Sequence, residues 1–240
     1  MADDLVFLVD VDNTLLDNGT VVEELKRRLV ECVGADRERR YWQIFEALWA
    51  ECGYADYLGA LQRLRSEEPH DQAVSGVSTF LVNYPFVERL YPGALEAITA
   101  LQRIAPVVIL TDGDAVYQPN KIERAGLRAV VGGHVLVYVH KEDMLEDIAR
   151  RYPARRYVMI DDKLRILAAI KAAWGERVTT VFVRQGQYAH DPAVLAAYPA
   201  ADVTIERIGD LITLADSSQL FSRQLGPLTT AAESLGRNRS

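Results

Sequence analysis

Apolar residues run unbroken from Leu5 to Val9, and the run closes on an acid, in "LVFLVDVDNT". A short continuous apolar run of this kind predicts a strand covered on both faces, as in a parallel sheet. From Gly19 to Pro92 the period changes to that of helices. Val22, Leu25, Leu29 and Val33 follow helical spacing, Thr20 is the predicted N-cap with Glu23 completing a capping box, and Gly34 is the stop. Tyr41, Phe45, Leu48 and Cys52 line one face of a second predicted helix over Asp36–Cys52, followed by Gly53. Shorter helices are predicted near Asp56–Arg65 and His70–Asn83, with breaks at Pro69 and Pro85.

After Pro92 the two patterns alternate. "GALEAITALQRI" predicts a helix and "PVVILT" a strand; "AVYQPNKIERAGL" is mostly helix and "HVLVYV" a strand. "EDMLEDIARRY" and "KLRILAAIKAAW" predict helices, each followed by a strand, "RYVMID" and "RVTTVFV". A weak last strand, "DVTI", precedes a helix through Leu214. Alternating strands and helices imply βαβ units and a parallel sheet. The predicted layout is therefore an α/β fold: one strand, a helical insertion, then the rest of the sheet. The stretch from about Ser217, rich in Ser, Thr, Gly and Arg, reads as a loosely ordered tail.

Composition narrows the function classes. The 240 residues carry 34 acidic and 27 basic side chains, a net charge of −7, with no basic run. That argues against nucleic acid as a partner. The start, "MADDLVFLVD", lacks the positive n-region of a signal peptide, and no apolar segment reaches the roughly 18 residues of a membrane span. Cys32 and Cys52 fit free thiols, so the chain is expected to be cytoplasmic with no membrane partner. Oligomeric state is not readable from these features.

Ligands of open α/β sheets bind outside the carboxyl ends of the strands. Those ends carry Asp10, Asp12 and Thr14; Thr111, Asp112 and Asp114; His140 and Lys141; and Asp161 with Asp162. Carboxylates gathered on one rim repel unless a cation neutralises them or one is protonated. A rim rich in oxygen, with no His/Cys cluster, suits magnesium better than zinc. His134, His140 and His190 show no metal-ligand spacing.

Taken in order, "DVDNT", the Thr111 of "ILTDG", Lys141 and the acidic pair of "MIDD" resemble the four motifs of the haloacid dehalogenase-like hydrolase superfamily. The resemblance runs from about residue 5 to 185, and "LYPGALEAITAL" is similar to that family's return from its cap to its core. It implies a Rossmann-like parallel sheet flanked by helices, with residues 1–18 and 90–216 as core, 19–89 as an inserted helical cap and 217–240 as a tail. It further implies that Asp10 is the nucleophile, Asp12 the general acid–base, Thr111 a hydrogen-bond partner of the phosphoryl group, and Lys141 the neutralising cation. Lys121 or Lys163 could take the place of Lys141. Thr14 orders the motif turn. Magnesium would be held by Asp10, the backbone carbonyl of Asp12, Asp161 and Asp162, the last either binding or orienting Lys141. Many relatives carry a later acid where this chain has Arg165. Asp112 and Asp114 read as turn and cap residues.

Asp12 separates two chemistries, since haloacid dehalogenases resemble this motif but generally lack the second acid. The expected activity is thus magnesium-dependent hydrolysis of a small phosphorylated metabolite through an aspartyl-phosphate. Phosphomutase, haloacid dehalogenase and a non-catalytic binding or regulatory protein are the alternatives. In the cap, Tyr41, Trp42, Phe45, Trp49, Tyr54 and Tyr57 are expected chiefly as core, and Arg39, Arg40 and Arg63 as candidates to meet an anionic leaving group.

Overall fold

The computed structural model describes residues 3–186 and 188–216. The expected tail lies outside the described residues. Six parallel strands form one sheet: β1 (Asp3–Val9), β2 (Val107–Asp112), β3 (Val135–Tyr138), β4 (Ala154–Asp161), β5 (Val178–Val183) and β6 (Val203–Ile205). Every strand predicted from an apolar run is present. Alternation within β1 explains why the run is continuous: Phe7 and Val9 enter one core, Val6 and Leu8 the other. Parallel strands are covered by their own crossover helices, so both faces must be apolar.

Between β1 and β2 the chain inserts four helices, α1 (Asn18–Val33), α2 (Ala35–Cys52), α3 (Tyr57–Glu67) and α4 (Val74–Asn83). The remaining helices are α5 (Ala94–Gln102), α6 (Tyr117–Arg124), α7 (Leu127–Val130), α8 (Leu145–Arg151), α9 (Leu164–Trp174), α10 (Pro192–Ala197) and α11 (Asp210–Asp216). Of the stretch expected as mostly helix, Tyr117–Arg124 forms α6; Gly126, with φ of 74°, follows it, and α7 begins at Leu127 and runs beyond that stretch. The start of α1 also differs from the sequence expectation. Its N-cap is Asp17, whose Oδ1 accepts the Thr20 N–H at 3.0 Å while the Thr20 hydroxyl donates to Oδ2 at 2.6 Å. Asp17 occupies the cap predicted for Thr20, and Glu23 instead pairs with Lys26.

The two connections to the inserted helices touch each other. Asp17 N–H donates to Arg89 C=O at 2.8 Å and Tyr91 N–H to Leu15 C=O at 2.9 Å, forming a short antiparallel neck. The sheet order is β3-β2-β1-β4-β5-β6. From β1 the chain builds outward through β2 and β3, then crosses to β4 and builds the other way. β1 and β4 are therefore the switch point, where connections leave in opposite directions and open a crevice at the carboxyl ends. Asp10 follows β1, Asp161 closes β4 and Asp162 follows it.

Candidate active site

The sharp exit from β1 is made by "DNTL". Asn13 has φ of +61°, a left-handed conformation that Asn tolerates better than most residues. The N–H groups of Thr14, Leu15 and Leu16 all point back to the Val11 carbonyl at 2.9–3.3 Å. Gly186, itself at φ +72°, passes so close that a Cβ there would lie 2.6 Å from the Asn13 Cβ. This turn places Asp10 inside the crevice and Asp12 at its rim, 3 % and (for the side chain) 23 % exposed.

Asp10, Asp161 and Asp162 are all buried, and each offers a carboxylate oxygen within 4.8 Å of the others. Lys141, fully buried in a 3-10 turn after β3, answers two of the three. Its Nζ lies 2.5 Å from Asp10 Oδ1 and 2.7 Å from Asp161 Oδ2, and donates to the Leu110 carbonyl at 3.3 Å. Burial works to lower the Lys141 ammonium, but Asp10, Asp161 and Asp112 outweigh it and hold it above its ordinary value. Burial raises the Asp161 carboxyl, with Lys141 opposing; burial and then Asp161 push Asp162 well up. Among the described residues, Asp10 Oδ2 and both oxygens of Asp162 have no hydrogen-bond partner. Such orphaned buried acceptors fit a hard cation bound by oxygen. It is Asp161 that pairs with Lys141; neither oxygen of Asp162 does.

Asp12 turns the other way. Lys121, in α6 and fully buried, donates to both of its oxygens at 2.7 and 2.9 Å and to Asn18 Oδ1 at 3.0 Å. Lys121 therefore does not replace Lys141 but holds the second acid of the motif. Lys163 sits beside the triad, and the two acids it follows, together with Asp10, hold its ammonium above its ordinary value against the effect of burial. One turn before Lys121, Gln118 Nε2 donates to Thr111 Oγ1 at 3.0 Å and reaches Asp12 Oδ2 at 3.4 Å. Asp112 Oδ1 accepts the Lys141 N–H at 2.8 Å, and burial raises its carboxyl to about 6. Asp114 caps α6 by accepting from Val116 and Tyr117 N–H at 2.8 and 2.6 Å.

Above the rim, between the sheet end and the inserted helices, lies a cavity of about 850 Å³ bordered by Asp12, Asp112, Trp42, Trp49, Tyr54 and Lys163. Phe45 and Tyr57 border it too but stack on each other, and Tyr41 is wholly core. The expected arginines are elsewhere. Arg39, Arg40 and Arg63 pair with Asp36, Glu67 and Glu51 on the surface, and none borders the cavity. Lys26, Lys163 and Arg165 do. Arg165, which stands at the later acid position, reaches Glu142 at 2.5 Å. His140 also borders the cavity, close against Gly53 at the end of α2. Spacing could not reveal Gln118 or Asn18, nor that Lys121 meets Asp12, although 118 and 121 share a helix face.

The profile of the haloacid dehalogenase-like hydrolases matches residues 5–173. No curated relative matches the chain. Among solved structures, a haloacid dehalogenase-like hydrolase from Burkholderia xenovorans LB400 is 56% identical, covering 90% of this chain and 98% of that one, with a TM-score of 0.85. The HAD-hydrolase YfnB from Bacillus subtilis, magnesium-bound and described as revealing interdomain movement, is 18% identical, with coverages of 89% and 99% and a TM-score of 0.58. The L-2-haloacid dehalogenase PA0810 is likewise 18% identical, with coverages of 89% and 99% and a TM-score of 0.59, a likeness of fold. The matched profile, the Burkholderia relative and the site at the β1/β4 switch point agree: this chain belongs to the haloacid dehalogenase-like hydrolases.

Proposed function

We propose that the protein is a magnesium-dependent phosphatase of small phosphate monoesters, working through a phosphoryl group carried on Asp10. In this reading residues 1–18 and 90–216 are the catalytic core and 19–89 a cap over it. The observation that carries the reading is Asp12, a carboxylate at the cavity rim two residues beyond the buried Asp10. Displacing an alkoxide from phosphorus requires a proton for the leaving oxygen, whereas a halide departs without one.

Asp10 attacks phosphorus, the bond to the leaving oxygen breaks, and Asp12 delivers the proton to that oxygen. Asp12 then takes a proton from water, the water oxygen bonds to phosphorus, and the bond to Asp10 breaks. Thr111 is poised to donate to a phosphoryl oxygen. Its Oγ accepts from Gln118 at 3.0 Å, and its hydroxyl makes only a long 3.4 Å approach to the Asp112 carbonyl among the described residues. Lys141 offsets charge on Asp10 as the phosphoryl group arrives. Asp10, Asp161, Asp162 and the Asp12 carbonyl would hold magnesium, which when bound neutralises and orients the phosphoryl oxygens. The cavity above the rim suits a small metabolite, and two unpaired thiols suit the cytoplasm.

The test is phosphate release across a panel of metabolite phosphates with magnesium and after chelation, beside halide release from 2-haloacids. Asp12→Asn should then cost roughly 100- to 10,000-fold on an alkyl phosphate and much less on an aryl phosphate. Halide release without any phosphatase activity would reject the proposal in favour of a dehalogenase.

A further inference from the structure

Lys121 occupies an unusual place. It is fully buried, on a core helix, yet its ammonium points to the motif turn and to the first residue of α1. Its three N–H groups meet three acceptors, the two Asp12 oxygens and Asn18 Oδ1, at 2.7–3.0 Å, and the nitrogen sits 5.4 Å from the Tyr117 ring centre. The same helix meets the inserted helices elsewhere as well: Tyr117 packs on Tyr57 of α3 with ring centres 5.4 Å apart, and Asn120 and Arg124 donate to the Val82 and Asn83 carbonyls of α4 at 3.0 and 2.8 Å. Gln118 joins the group from the side, reaching both Thr111 and Asp12.

A carboxylate at a partly exposed rim would ordinarily sample several rotamers. Two short contacts to one buried cation remove that freedom. The cation in turn depends on Asn18, which belongs to the first turn of α1 and moves with the inserted helices if they swing about the neck at Leu15–Asp17. Withdrawing Asn18 would leave a buried ammonium with one N–H unanswered, which is strongly disfavoured. We infer that Lys121 is the positioning residue for Asp12, and that through Asn18 it makes the orientation of this carboxylate depend on the seating of α1. The catalytic half of this inference rests on the acid–base role proposed above for Asp12; the link between Lys121 and α1 does not.

Two measurements test it. The first compares Lys121→Met, Asp12→Asn and the double variant on an alkyl phosphate and on p-nitrophenyl phosphate. If Lys121 acts through Asp12, Lys121→Met loses roughly tenfold or more extra activity on the alkyl ester, and costs less than about threefold once Asp12 is already Asn. Lys121→Arg, which keeps the charge, should recover part of the loss. Equal losses on both esters, or losses that multiply in the double variant, would overturn the positioning role.

The second measurement is hydrogen exchange over residues 15–25, read by mass spectrometry without substrate. Exchange should quicken in Lys121→Met and stay near wild type in Asp12→Asn. Asn18→Ala, which leaves Lys121 and Asp12 together, should quicken it as well and serves if Lys121→Met does not fold. Unchanged exchange in Asn18→Ala would sink the link to α1. A wild-type protein that hydrolyses no phosphate ester would remove the phosphatase reading, while the exchange result would still decide the link.

Discussion

Replacing Lys141 with Met keeps most of the side-chain volume and removes the ammonium that bridges Asp10 and Asp161. Those two contacts, at 2.5 and 2.7 Å, are fully buried. Their loss leaves three carboxylates with oxygens within 4.8 Å of one another. At that separation each ionised pair repels by about 3.5 kcal/mol at an effective dielectric of ~20. Protonation and relaxation absorb part of this, and breaking a buried pair typically costs ~3–5 kcal/mol. For a chain of this size that corresponds to a melting temperature lower by roughly 6–20 °C. The sign of the pH dependence follows from the raised Asp161 and Asp162 carboxyls. A carboxyl raised in the folded state costs stability above its folded value, and the cost fades as pH falls through that value. The deficit of Lys141→Met should therefore be largest near pH 7.5 and shrink towards pH 5. Magnesium should stabilise the variant more than the wild type, since the ammonium that repels a cation is gone. Thermal melts followed by circular dichroism, with chelator or with magnesium at both pH values, measure all three effects. A melting temperature within about 2 °C of wild type at pH 7.5 in chelator would refute the reasoning, as would a deficit that does not shrink on acidification.

Asp10→Asn should abolish multiple turnover while leaving the fold intact, checked by phosphate release beside circular dichroism; sustained turnover would remove Asp10 as nucleophile. Asp112→Asn preserves the acceptor for the Lys141 N–H. Because the Asp112 carboxyl is raised to about 6, its charge costs stability above that pH. The variant should thus be more stable than wild type by roughly 1–3 kcal/mol at pH 8, with the gain fading towards pH 4.5 in urea titrations. Gly186→Ala meets both a left-handed backbone and the Asn13 Cβ at 2.6 Å. A loss of roughly 1–3 kcal/mol is expected, with a fall in activity as the motif turn shifts, both read on one purified sample.

Much of the fold is legible because burial on both faces forces continuous apolar runs, as in Leu5–Val9, Val107–Leu110 and Tyr157–Ile160, whereas β5 carries two buried threonines, Thr179 and Thr180. The order of the strand ends likewise places Asp10, Lys141, Asp161 and Asp162 on one rim. What failed was local competition and azimuth. Thr20 and Asp17 both offer a capping oxygen within one turn, and only the backbone exit angle decides for Asp17. Arg39, Arg40 and Arg63 sit on predicted helices, but the direction each faces depends on packing, which turned them to surface acids. Lys121, Lys141 and Lys163 are indistinguishable by spacing; their separation into a clamp on Asp12, a bridge between Asp10 and Asp161, and a neighbour of the triad requires the third dimension.

The sheet order also governs the sequence of events in folding. β1 precedes the other described strands of its sheet, yet its partners begin at Val107 and Ala154, with residues 10–106 before even the nearer one. In loop-closure entropy this long detour is cheap: a connection four times longer costs only ~1.2 kcal/mol more. Its effect is on timing. Long-range pairing is slow, so as the chain emerges from the ribosome the inserted helices can assemble while β1 still lacks a neighbour. The apolar run that bears Asp10 stays unpaired until β2 is made and one-sided until β4 arrives. A nascent chain stopped before Ala154 therefore presents β1 as an open, apolar edge, the kind of edge that recruits other chains, and it lacks the strand that brings Asp161 and Asp162. Closure of the central strand and completion of the acidic triad are the same late event.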